Sequence, residues 1–81
     1  MIVWNVIETY IDKDGLPKIF DYASFESEDR AWMHFNHRLN RNDGEVMSVE
    51  SAPEGDVGFG VYEHPHYGTI TVDVSYGNLF P

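Results

Sequence analysis

Only one stretch of this chain carries apolar residues at helical spacing, and every fold available to it must be built around that single helix. Between Glu28 and about Arg41, Ala31, Trp32, Phe35 and Leu39 fall in one stripe at 3.6 residues per turn. Ser27 is a good N-cap. Glu28 and Asp29 place negative charge in the first turn, where the helix dipole favours it, and Gly44 in Asn42-Asp43-Gly44 is the expected left-handed stop.

The rest of the chain reads as strand. Ile2 to Ile11 is dense in β-branched and aromatic residues, and its apolar residues on both faces predict a central strand. Asp12-Lys13-Asp14-Gly15 and Leu16-Pro17 supply turn chemistry for a hairpin. Its second strand is Lys18 to Phe25, with Ile19, Ala23 and Phe25 on one face and Phe20 and Tyr22 on the other. Three further strands are expected at Glu45 to Ser51, Val57 to His64 and Thr69 to Tyr76, with Gly77 to Pro81 as a short tail. The last alternates cleanly, with Ile70, Val72, Val74 and Tyr76 on the buried side.

These elements predict an α+β fold: a single domain over residues 1–81 in ββαβββ order, with one amphipathic helix on a twisted, mainly antiparallel sheet of about five strands. A single helix covers one sheet face. The other must be polar, covered by a partner, or shared in a dimer. In strand Val57 to His64, Gly58 and Gly60 leave room on one side for Trp32, Phe35 or a partner's backbone.

Composition narrows the function classes. With 42% hydrophobic and 15% aromatic residues among 81, the chain is too apolar for an acidic disordered tail. No run is long and apolar enough to span a bilayer and no leader pattern opens the chain, so a soluble, unprocessed, cytoplasmic protein is expected. Cysteine is absent, which excludes disulfides and thiolate chemistry. No nucleophile elbow, phosphate-cradling loop or poised carboxylate pair is present, so neither an enzyme nor a cofactor is expected. Asp12-Lys13-Asp14-Gly15 lacks the glycine and glutamate spacing of a calcium loop. His34 and His37, and His64 and His66, lack a recognisable metal-ligand spacing, so no metal site is expected. Gly58-Phe59-Gly60 matches a fragment of an RNA-recognition signature, but Glu63 and the single helix argue against RNA.

Charge is the most informative feature. The net charge is -9, and all five basic residues (Lys13, Lys18, Arg30, Arg38, Arg41) precede position 42. After it lie Asp43, Glu45, Glu50, Glu54, Asp56, Glu63 and Asp73 with no base at all. Such a field repels nucleic acid and anionic membranes and attracts basic surfaces. On the helix, Arg30, His34, His37, Arg38 and Arg41 form a positive ribbon beside the apolar stripe. In size, acidity and lack of cysteine the chain resembles the small phage proteins that block host defence machinery, including anti-CRISPR and anti-restriction proteins. That resemblance implies a stoichiometric inhibitor that occupies a basic, nucleic-acid-binding surface.

The expected function is therefore a non-enzymatic protein-binding inhibitor, in the manner of a nucleic-acid mimic. Contacts are expected from Glu45, Glu50, Glu54, Asp56, Glu63 and Asp73, with Tyr62 and Tyr67 as aromatic anchors. The alternative is an assembly module that homodimerises through the open sheet face.

Overall fold

The computed structural model describes residues 2–78. Its elements are β1 (Ile2–Ile11), β2 (Pro17–Phe25), α1 (Glu28–Arg41), β3 (Glu45–Ala52), β4 (Gly55–His64) and β5 (Gly68–Asn78). The strands form one antiparallel sheet in the order β2-β1-β5-β4-β3. The first and last strands thus pair, joining the β1–β2 hairpin to the β3–β4–β5 meander, with β5 in the middle. This is the expected α+β architecture with a single helix. Part of the expected tail, Gly77 and Asn78, belongs to β5, and positions 79–81 lie outside the described residues.

The helix lies on one face. Ser27 caps it, its Oγ accepting from the Arg30 N–H at 3.4 Å. Ala31, Phe35 and Leu39 are buried against Trp4, Val6, Tyr62, Ile70, Val72 and Val74, which together make the core. Trp32 sits half-buried at the rim of this core, edge-on to Phe35, and its indole N–H donates to the Asp56 carbonyl at 3.2 Å.

Three local expectations are corrected. Asp43, with φ of 55°, takes the left-handed position at the helix end, a conformation that Asp tolerates better than most residues. Gly44 is needed for a different reason: a Cβ there would lie 2.5 Å from the Val61 carbonyl oxygen and 2.9 Å from Leu39. In β2 the register shifts opposite Glu8 and Thr9, which leaves Phe20 as an extra residue in a bulge. Phe20 therefore joins Tyr10 on the helix side, while Ile19 moves to the open side with Tyr22.

The side chain that comes nearest above Gly60 is Leu39 rather than Trp32 or Phe35. A Cβ at Gly60 would meet Leu39 at 2.5 Å and the Glu45 carbonyl at 2.6 Å, so the glycine admits the last buried residue of the helix and the backbone of β3. Gly58 similarly makes way for the Ser48 and Val49 backbone. Close approach at this point follows a second bulge, in β3 between Val46 and Ser48. Both edge strands thus carry a bulge, which hinders edge-to-edge pairing with another sheet.

Candidate functional site

The two sheet faces treat charge in opposite ways. On the covered face, alternation along β1 places Glu8 in line with Trp4 and Val6, and Glu8 is only 1% exposed. A buried carboxylate needs a cation, and Arg38 supplies it from the helix: Nε reaches Oε2 at 2.7 Å and Nη2 reaches Oε1 at 3.1 Å. The Tyr62 hydroxyl donates to Glu8 Oε1 at 2.5 Å and accepts from Arg38 Nη2 at 3.2 Å. The hydrogen bond to Glu8 raises Arg38 above its ordinary pKa. Burial, assisted by the same carboxylate, pushes the Tyr62 hydroxyl up to about 12.

Two sequence-based assignments change here. Tyr62, expected to anchor a partner, is 3% exposed and committed to Glu8 and Arg38, so it is a core residue. Arg38, expected in the positive ribbon, turns inward. Arg30, His34 and His37 remain and line a concavity with Phe25 and Met33. Glu8, Asp21 and His34 bring ligand-type atoms within 4.8 Å of one another, whereas His37, His64 and His66 stand outside this group. Glu8 is already engaged by Arg38, whose positive charge opposes a cation there.

The open face follows from the strand register. One row crosses all five strands as Tyr22, Ile7, Asp73, Phe59 and Ser48. A parallel row runs Ile19, Thr9, Thr71, Val61 and Glu45. Glu50 lies opposite Val57, and Glu63 lies opposite Thr69, whose hydroxyl donates to it at 2.7 Å. Glu45, Glu50, Glu63 and Asp73 are therefore brought to one face, among Ile7, Phe59 and Val61. Neighbouring strands lie about 4.8 Å apart and each residue adds about 3.3 Å along a strand, so these acids are spread over roughly 10 Å across the sheet and roughly 20 Å along it.

No base shares this face among the described residues. Arg30, Arg38 and Arg41 ride on the helix, Lys18 pairs with Tyr10 on the covered side, and Lys13 sits in the β1–β2 turn. The asymmetry along the chain has become an asymmetry through the sheet. Asp73 is its centre: it occupies the middle strand, half-buried between Ile7 and Phe59, and among the described residues no donor reaches its carboxylate. Burial without a partner lifts its pKa above the ordinary carboxylate value.

The remaining expected contacts lie elsewhere. Glu54 is in the β3–β4 turn. Asp56 turns to the helix side, where its N–H donates to Glu28 Oε2 at 2.9 Å and its Oδ1 accepts from Ser51 at 3.3 Å. Tyr67 is exposed, but it stacks with Tyr10, Phe20 and His64 beyond the covered face, away from the acids. Sequence reasoning missed the apolar partners Ile7 and Phe59. Their signal was the presence of apolar residues on both faces of β1 and of β4, more than a one-helix sheet can cover.

Compared with known proteins, the chain matches no family model, no curated sequence and no solved structure. Among the described residues no helix is long and apolar enough to cross a membrane.

Proposed function

We propose that this is a small acidic, non-enzymatic inhibitor that lays the open face of its sheet on a basic, nucleic-acid-binding surface of a partner protein, in the manner of phage anti-CRISPR and anti-restriction proteins. The observation that carries the reading is the segregation of charge through the sheet: Glu45, Glu50, Glu63 and Asp73 share a face with exposed apolar side chains and no base. Acids steer a basic partner and fix its register, while Ile7, Phe59, Val61 and Tyr22 provide area for lasting contact. Glu54 extends the acidic field at one end, whereas Tyr62 has no part in it.

The same observation weighs against homodimerisation through this face. Two copies placed face to face would bring like charges together without a base between them, and such juxtapositions cost several kcal/mol when desolvated.

The test is binding to a panel of purified CRISPR effectors and restriction enzymes, measured across a salt series with and without duplex DNA. The proposal expects at least one member to bind, to release as salt rises, and to be displaced by the DNA. Binding to none, or binding indifferent to both salt and DNA, contradicts it.

A further inference from the structure

The open face is not uniformly acidic; it is dented at its centre. A concavity of about 440 Å³ is lined by Ile7, Val57, Phe59, Asp73, Ser75, Ser48 and Glu50. Its floor is apolar, its one half-buried charge is Asp73, and Glu50 stands at the rim on the edge strand. A carboxylate held between two apolar side chains loses much of its hydration without gaining a counter-charge, and such a group favours a cation brought from outside.

We propose that this concavity receives one arginine side chain of the partner, with the guanidinium on Asp73, the aliphatic stem along Ile7 and the plane against the Phe59 ring. The inference rests on the reading that the open face binds a basic protein, and it names the group that enters first. Three properties select arginine. Its fork matches a carboxylate with two parallel N–H donors, its weak hydration lowers the cost of leaving water, and its plane stacks on an aromatic face. Lysine offers a strongly hydrated point charge and no plane. Ser75 and Ser48 supply hydroxyl acceptors for the N–H groups that Asp73 leaves unpaired.

Titration with the blocked tripeptide acetyl-Gly-Arg-Gly-amide, followed by heteronuclear NMR, tests this directly. Saturable shifts are expected at Ile7, Phe59, Asp73 and Ser75, with affinity weakened at least about tenfold when citrulline replaces arginine or in Asp73→Asn, since either change removes a charge-assisted hydrogen bond. Phe59→Leu should weaken arginine binding while leaving the fold intact, as checked by the dispersion of the remaining signals. Equal binding of the citrulline peptide, an unchanged response in Asp73→Asn, or shifts confined to Glu45 and Glu63 would each overturn the proposal. Lysine binding as tight as arginine would overturn the guanidinium assignment.

The two levels fail separately. A basic protein that binds wild type and Asp73→Asn alike, but not Glu45→Gln/Glu50→Gln/Glu63→Gln, keeps the docking reading and removes the arginine site. An arginine peptide that binds when no basic protein does keeps the site and removes the docking reading.

Discussion

The covered and open faces of one sheet hold acids in opposite circumstances. Glu8, beneath the helix, accepts from Arg38 and Tyr62 and is almost wholly out of water. Asp73, on the adjacent strand but the other face, is half-buried and has no donor among the described residues. The first arrangement is closed: both oxygens of the Glu8 carboxylate have found donors inside the molecule, so the charge serves the fold. The second is open, and its unmet demand is what a partner can satisfy. Burial of a charge therefore separates a structural role from an interaction role only when its hydrogen-bond partners are counted as well.

The largest effect should come from breaking the closed side. Arg38→Met strands Glu8 as an uncompensated buried charge and should cost about 3 kcal/mol or more in urea unfolding, whereas Glu8→Leu/Arg38→Met should recover most of that loss. A single variant as costly as the double would mean that the pair acts through packing alone. Gly60→Ala should cost about 1 to 3 kcal/mol, because the added Cβ meets Leu39 and the Glu45 carbonyl.

Tyr62→Phe should cost about 1 to 2 kcal/mol near neutral pH by removing a hydrogen bond to Glu8. Its pH signature is more specific. The hydroxyl ionises near 10 when unfolded and at about 12 in the fold, so its contribution is complete below pH 10 and is lost as pH rises towards 12. Alkaline titration of the melting temperature should show that fall in wild type and a shallower one in Tyr62→Phe.

The smallest stability effects belong to the open face. Glu45→Gln, Glu50→Gln and Glu63→Gln should each change stability by no more than about 0.5 kcal/mol. Asp73→Asn should be slightly stabilising at pH 7. The folded carboxyl has a raised pKa, so the ionised form penalises the fold above the ordinary Asp range, and the advantage should vanish at low pH where both states are protonated. A marked loss of stability in Asp73→Asn would show that this acid has a structural partner and would erase the contrast between the faces.

Much of the fold was legible because it is written in local patterns. The Ser27 cap, the stripe Ala31-Phe35-Leu39 and the alternation of Ile70, Val72 and Val74 each lie within a few residues. Strand order depends on pairings between chain ends, such as Trp4 with Tyr76, and no local period encodes them. The Phe20 bulge escaped for a related reason: one extra residue flips the faces on one side of it, and the residue types of β2 suit either face. Arg38 lies at the margin of the apolar stripe, so a helical wheel alone cannot assign it. Glu8 held the missing signal, since it shares the face of Trp4 and Val6, and an acid in such a row requires a cation from the covering element.

For the candidate site, sequence located the acids but not their grouping. Glu45, Glu50, Glu63 and Asp73 converge because their registers agree, Asp56 diverges because the β3–β4 turn sends it to the helix side, and Tyr62 is lost to the core.

The central claim is that the open face, and not net charge alone, engages a basic partner. Its most direct test compares Glu45→Gln/Glu50→Gln/Glu63→Gln/Asp73→Asn with a control that removes equal charge elsewhere, Asp14→Asn/Glu26→Gln/Asp29→Asn/Asp43→Asn, by binding to a CRISPR effector or restriction enzyme at a fixed moderate salt concentration. The account predicts that the open-face variant loses binding at least about tenfold more than the control, since placed charges at an interface outweigh distant ones that salt screens. Equal losses in the two variants, or no loss in the open-face variant, would contradict it.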